Sequence, residues 1–222
     1  MKSTILFFLG FLLIVSACKN PNADKVNVTV NSDTTNVDTM ADVANDPPAA
    51  PVDSATMMKA WEAFVTPGPM HQMLAKGAGT WTGDVMMWMD PADPPETSKA
   101  TITNKMALNG LYQLGDYKGT MMGQPFEGHS ILAYDNAKKE FVNTWIDNMG
   151  SGVVIMRGTW NDGTKTLSLK GTQTDPVTGK DLSIREEWKM IDDNSFMMTM
   201  YGDSPMGEGE HKFMEGTFKR KM

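Results

Sequence analysis

Polar side chains inside two otherwise apolar runs are the strongest candidates for chemistry in this chain. The run 141–147 places Trp145 and Asp147 on one face of a strand, and the run 182–191 supplies Arg185. An interior that holds these three side chains is apolar with a few convergent polar groups, as ligand pockets are. An exposed strand face is the alternative interpretation of the same residues.

The same residues define an enzyme hypothesis. Asp147 or Glu186, placed beside Arg185 in a dry pocket, has the character of a tuned acid or base. The sequence contains no Gly-x-Ser-x-Gly nucleophile elbow, and no helical pattern follows Gly202-Asp203-Ser204, which resembles a hydrolase block. We therefore assign no catalytic residue and expect a binding protein rather than an enzyme.

Methionine is unusually frequent, with 21 residues, and is densest at 86–89 and 197–200. Thioethers are ligands for Cu(I), but methionine is also a flexible apolar filler of cores and pockets. Because neither cluster has histidine or cysteine beside it, we favour pocket lining over copper. The side chains expected to line a ligand pocket are Met87, Trp88, Trp145, Asp147, Arg185, Trp188 and Met198.

The three histidines, His71, His129 and His211, are far apart in the sequence. A zinc site favours local pairs such as i, i+4, and no such pair is present, so we expect no metal site. Haem held by His211 or His129 is a disfavoured alternative. The sequence thus predicts no cofactor.

The elements that must position these residues are mostly strands. Two short helices, 57–64 and 70–76, come first, and Ser54 or Thr56 is expected to cap the first of them. Turn signals then separate strand-like runs with no helix between them. These runs are Thr80–Met89, Lys99–Leu108, Leu111–Thr120, Phe126–Tyr134, Phe141–Ile146, Val153–Trp160, Lys165–Lys170, Leu182–Ile191, Phe196–Tyr201 and Lys212–Arg220. We predict an all-β fold, an antiparallel up-and-down barrel of about ten strands, because closure removes exposed edges; a two-sheet sandwich is the alternative.

The first 54 residues differ in composition from the rest of the chain. Residues 1–17 have the basic start and short apolar run of a signal peptide, and Ser16-Ala17-Cys18 resembles a bacterial lipobox. We expect Cys18 to be acylated and to hold the protein on a membrane surface. Lys19 differs from an inner-membrane retention signal, which favours the outer membrane of a Gram-negative bacterium. Residues 18–54 are predicted to be a disordered acidic tether, and 55–222 the barrel domain.

Charge and cysteine content exclude several classes of function. The net charge of −7 argues against nucleic acid as a partner, which requires clustered lysine and arginine. Cys18 is the only cysteine, so disulfides and cysteine nucleophiles are excluded from the domain.

Several motifs occur in order between Met57 and Lys221. They are His71-x-x-Leu74, Gly79-Thr80-Trp81-x-Gly83, Gly123-Gln124-Pro125-Phe126-Glu127-Gly128, Tyr134-Asp135-Asn136, Thr144-Trp145-Ile146-Asp147, Asp175-Pro176-Val177-Thr178-Gly179-Lys180 and Arg185-Glu186. Together they resemble a bacterial domain-of-unknown-function family, number fifteen seventy-nine. The resemblance implies a lipocalin-like, or calycin-like, barrel and supplies no activity.

These observations predict a lipid-anchored cell-envelope protein. We expect its barrel interior to bind a small apolar or amphipathic ligand, and its membrane contact to be made through the N-terminal lipid. An enzyme and an envelope structural or interaction protein are the alternatives, and no protein partner is indicated.

Overall fold

The computed structural model of the 222-residue chain describes residues 52–203 and 209–222. Cys18, the predicted signal peptide and most of the predicted tether lie outside these residues, as does Ser204. The described part contains two helices, α1 (Ser54–Val65) and α2 (Pro69–Lys76), and a short 3₁₀ turn at Leu108–Gly110. The ten strands are β1 (Gly79–Met87), β2 (Glu96–Ala107), β3 (Tyr112–Met121), β4 (Gln124–Asp135), β5 (Glu140–Asp147), β6 (Val154–Asn161), β7 (Thr166–Thr174), β8 (Asp181–Asp192), β9 (Ser195–Asp203) and β10 (Glu210–Arg220).

The strands form a closed antiparallel barrel in which each strand pairs with its neighbours in the sequence. Closure comes from β1 and β10, where Trp81 lies opposite Arg220 and Met87 lies opposite Met214. The predicted all-β, up-and-down barrel is confirmed, and the two-sheet sandwich is wrong. Pairing of the first and last strands leaves no open sheet edge in the barrel.

Alternation along each strand sends apolar side chains inward, where they form two clusters. One cluster lies beside α2 and includes Leu74, Phe141 and Leu169. The other is built around Trp81 and Phe218.

Helix α2 closes one end of the barrel, and its C-terminal carbonyl groups are satisfied by side chains from the strands. Gln113 Nε2 donates to Leu74 O at 2.6 Å, and Trp81 Nε1 donates to Gly77 O at 2.9 Å. Arg220 reaches the same region from β10 and donates to the carbonyls of Lys76 and Ala78, each at 2.6 Å. Its guanidinium also lies 4.1 Å from the centre of the Trp81 ring. The sequence pattern alone does not indicate this role of Arg220.

Helix α1 has no buried residue. Its N-terminus is capped by Asp53, whose Oδ1 accepts from the backbone of Ala55 and Thr56 at 3.0 Å, so the expected cap at Ser54 or Thr56 is wrong. Its C-terminal end is held by Asn136, whose Nδ2 donates to the carbonyls of Ala63, Phe64 and Thr66 at 3.2, 3.0 and 2.9 Å. Neither α1 nor any other helix among the described residues has the length and hydropathy to cross a membrane.

Candidate functional site

A cavity of about 300 Å³ lies in the barrel interior. No residue of α2 lines it, and its walls include Met87 at the end of β1, Phe126 near the start of β4 and Asp147 at the end of β5. These positions place the cavity toward the end of the barrel opposite α2. Six methionines contribute to its lining: Met87, Met121, Met156, Met198, Met200 and Met214.

Glu186 is the buried carboxyl group of this cavity. It faces inward from β8, opposite Leu169 on β7 and Met200 on β9, and is 5% exposed. Burial among these apolar neighbours raises its pKa to about 7, and the nearby Trp188 and Asn143 side chains oppose that rise only in part. No cation forms an ion pair with it in the described part of the chain. Glu186 therefore exchanges a proton near neutral pH.

Asn143 adds a second acceptor to the cavity wall. It faces inward from β5 and is 4% exposed. Within the described residues, neither its Oδ1 nor Glu186 Oε2 has a partner in hydrogen-bond geometry. Trp188 Nε1 is likewise unpaired, although the Trp188 and Asn143 side chains lie close enough to Glu186 to lower its pKa. Buried polar groups are nearly always paired in native proteins, so unpaired atoms beside a cavity indicate a place for a bound water or a ligand.

Trp145 forms the aromatic wall of the cavity. Its Nε1 donates to Asp147 Oδ2 at 2.6 Å, and its ring lies edge-on to Tyr117 with centroids 4.7 Å apart. Phe126 stacks on the same ring at 6.2 Å. Gly128 makes room for the indole, because a Cβ at this position would lie 2.4 Å from it. The indole is therefore held on three sides.

Tyr117 supplies a neutral hydroxyl group. Its burial and the nearby charge of Glu186 raise the pKa of the phenol, while a hydrogen bond with Ser130 opposes the rise. The hydroxyl group therefore stays protonated at physiological pH. The cavity thus combines apolar and aromatic walls with a small polar group of Glu186, Asn143 and Tyr117.

The sequence from residue 66 to residue 220 matches the family model described as "Protein of unknown function (DUF1579)". The chain belongs to the DUF1579 family. This confirms the resemblance found in the sequence. No curated protein matches the chain significantly.

Among solved structures, the DUF1579 chain is similar to a crystal structure of Rv2717c from M. tuberculosis, with a TM-score of 0.55 and 13% sequence identity. The alignment covers 71% of this chain and 100% of the other. At this identity the likeness concerns the fold alone, and it agrees with the closed barrel.

Four of the predicted site residues lie together in this DUF1579 cavity: Met87, Trp145, Asp147 and Met198. Trp188 faces inward but contributes to the cleft beside α2 instead, where it stacks on Phe196 at 5.4 Å. Asn143 and Glu186 were not among the predicted ligand-binding residues, although strand alternation placed Asn143 on the face of Trp145.

Arg185 does not face the barrel interior, so the expectation that it lies there with Trp145 and Asp147 is wrong. Consecutive residues of a strand face opposite sides, and Glu186 takes the inner position. Arg185 instead forms ion pairs with Glu187 and Glu210 and stacks on Tyr201, 3.8 Å from the ring centre. The enzyme hypothesis thereby loses the cation that it placed beside the carboxyl group.

Trp88 also lies away from the cavity lining. It follows the last residue of β1, and Lys212 Nζ lies 4.5 Å from its ring centre.

None of the three histidines lines the cavity. His71 is buried in α2, where its Nδ1 accepts from the backbone N–H of Gly68 at 3.0 Å and burial lowers its pKa. His129 is exposed and lies 2.8 Å from Asp116, whereas His211 packs on Phe213. Within 52–203 and 209–222, no three His, Cys, Asp or Glu side chains are grouped to hold a metal ion.

A second, wider cleft of about 780 Å³ lies beside α2. Its apolar part includes Met70, Met73 and Trp160. Its polar side chains Gln113 and Arg220 already hydrogen-bond to the carbonyls of α2 and the segment that follows. The interior cavity, with its unpaired buried acceptors, is therefore the better candidate site.

Proposed function

We propose that this protein binds a small amphipathic molecule in the interior cavity. The observation that carries this proposal is the coincidence of an apolar, methionine-rich cavity of about 300 Å³ with the unpaired acceptors of Glu186 and Asn143. This volume is at the lower end of the range of ligand cavities, and a few polar groups in an apolar lining are typical of them.

The apolar walls supply most of the affinity in this proposal. Burial of ~200 Å² of apolar ligand surface contributes about 5 kcal/mol. Loss of ligand freedom offsets several kcal/mol of this, so the polar contacts determine which ligands bind well. Methionine side chains adapt their shape, which favours a group of related ligands over a single rigid one.

Binding is tested with the purified protein by native mass spectrometry and by quenching of tryptophan fluorescence with lipophilic probes. Ala100 lines the cavity, so we expect Ala100→Phe to fill it and to weaken probe binding by about tenfold or more. Ala137 is exposed in the turn between β4 and β5, and Ala137→Phe serves as the matched control with unchanged binding. A parent protein that binds no probe, or binding that Ala100→Phe leaves unchanged, contradicts the proposal.

We also propose that the protein is anchored in the cell envelope by lipid on Cys18. The basic start, the apolar run and the small residues before Cys18 support this proposal, and Lys19 favours the outer membrane. Mass spectrometry of the mature N-terminus is expected to find an acylated cysteine, and Cys18→Ser is expected to abolish partition into detergent. A mature protein that begins at another residue, or that lacks acyl groups, contradicts this assignment.

A further inference from the structure

We infer that the polar end of the ligand is a protonated amine, which donates hydrogen bonds to Glu186 and Asn143. This inference rests on the proposed binding function and specifies the class of ligand. It follows from the polarity, the charge and the aromatic content of the cavity.

The unpaired atoms of the wall are the first argument. Glu186 Oε2 and Asn143 Oδ1 are both acceptors without a donor. A ligand that donates hydrogen bonds removes the cost of these buried, unpaired atoms. When the carboxyl group is ionised, a ligand that only accepts leaves both atoms unpaired, so donors are selected above the carboxyl pKa.

The charge of the lining is the second argument. Glu186, Asp147, Tyr117 and Lys118 are its titratable residues. Lys118 is exposed and lies 3.4 Å from Glu127, which offsets its charge, and the Tyr117 hydroxyl group is neutral. The carboxyl groups of the lining are therefore the buried Glu186 and the half-buried Asp147. The Asp147 oxygens already accept from Trp145 Nε1 and the Met149 backbone. Inside a medium of low dielectric constant the ionised Glu186 carboxylate attracts a cation and repels a carboxylate.

The aromatic wall is the third argument. The Trp145 ring contacts both Tyr117 and Phe126 at the cavity surface. Aromatic faces attract ammonium groups, and apolar walls hold the hydrocarbon part of the same ligand. The combination of a buried carboxyl group with aromatic rings fits an amine that carries a compact apolar group.

The protonation of Glu186 gives the inference a pH dependence. An ammonium ligand binds the ionised carboxyl group, whereas burial without a ligand raises the carboxyl pKa to about 7. Binding below pH 7 must therefore release a proton. Alkyl ammonium groups stay charged across this range, as lysine does, so amine affinity is expected to fall roughly 30-fold from pH 8 to pH 5.5.

The test uses calorimetry on the whole protein with three matched probes: 2-phenylethylamine, 2-phenylethanol and phenylacetate. At pH 8 we expect the amine to bind at least about tenfold more tightly than the alcohol, and phenylacetate to bind most weakly. Glu186→Gln is expected to reduce the preference for amine over alcohol to about twofold or less. Glu187→Gln, which changes the neighbouring residue on the outer face, is the matched control and keeps the preference.

The outcomes separate this inference from the proposed function. If the alcohol or phenylacetate binds as tightly as the amine, or if only a lipophilic dye binds, the amine assignment is overturned and small-molecule binding stands. If no probe binds at all, both are overturned. Should Glu186→Gln not fold, the pH profile of the parent decides: amine affinity that is constant from pH 5.5 to 8 contradicts the inference.

Discussion

Glu186 lies among apolar side chains, where ionisation is unfavourable, and this makes the stability of the barrel depend on pH. Its pKa is about 7 in the folded protein, against an ordinary value of 4.5. Between these two pH values the folded state holds a proton that the unfolded state releases. Stability contributed by the protonated carboxyl group is therefore full below pH 4.5, decreases as the pH rises to 7, and is constant above that.

We expect Glu186→Gln to remove this dependence. The amide stays neutral at every pH, so the variant should gain stability relative to the parent as the pH rises from 4.5 to 7. The gain in the free energy of unfolding of Glu186→Gln over the parent, from pH 4.5 to pH 7, is on the order of 3 kcal/mol. Urea unfolding at half-unit pH intervals measures it, with Glu187→Gln as the control. A difference between Glu186→Gln and parent that does not change with pH contradicts the raised pKa.

Gly128 limits the position of the aromatic wall. Because a Cβ there would meet the Trp145 ring at 2.4 Å, Gly128→Ala is expected to displace the indole and to destabilise the protein by about 1–3 kcal/mol. Gly152 has open space around its Cβ position, so Gly152→Ala is the control and should be nearly neutral. Chemical denaturation gives the stability, and the Trp emission maximum reports the ring. An unchanged emission spectrum in Gly128→Ala would refute the displacement.

At the residue scale, strand alternation was sufficient to place Trp145 and Asp147 on one face, but it did not show that this face is the inner one. The same rule separated Arg185 from Glu186, but it does not say which of the two faces inward. A cation and a carboxylate are both costly to bury, and the register of β8 against β7 and β9 decides between them. The pairing of Arg185 with Glu187 and Glu210 outside the barrel depends on that three-dimensional arrangement.

At the scale of elements, Arg220 joins the last strand to α2. It donates to the carbonyls of Lys76 and Ala78 and stacks on Trp81, so Arg220→Ala is expected to cost about 2–3 kcal/mol. Lysine lacks the planar fork that makes these contacts together, and Arg220→Lys should recover little of the loss. Urea midpoints measure both, and exposed Lys219→Ala is the control. Full recovery by lysine would contradict the importance of the fork.

Helix α1 is expected to behave independently of the barrel core, because none of its residues is buried. Asn136 holds its C-terminal end through three carbonyl groups. We expect Asn136→Ala to increase hydrogen exchange across 54–66 while the thermal midpoint shifts by no more than about 2 °C. Unchanged exchange in this segment, or a large loss of thermal stability, contradicts the expectation. Lys138→Ala, in the same turn, is the control.

The helices and strands were largely predictable because their signals are local. In the sequence, Pro69 and Gly77 mark the two ends of α2, and the structure places the helix ends at the same residues. The contacts of α1 were not predictable in this way. Its Trp61, Phe64 and Val65 form an apolar stripe that favours burial, yet all three are exposed. Burial depends on a partner surface, which periodicity does not identify.

At the scale of the molecule, the barrel topology followed from the sequence because every strand pairs with its neighbours in the chain. The volume of the interior cavity could not be predicted from the sequence. Its volume is what remains after large side chains such as Trp81 and Phe218 fill one cluster and Leu74 and Phe141 the other. The cavity volume therefore depends on how the side chains of all the strands pack together.

The two ends of the barrel are formed by different parts of the chain. Residues Val52 to Lys76, which lead into the barrel, are tied to the α2 end through Asn136, Gln113 and Arg220. The cavity lies toward the other end. The described N-terminal segment and the cavity are therefore at opposite ends of the barrel domain. Neither α1 nor α2 lines the cavity, so a ligand of the proposed site reaches it without displacing either helix.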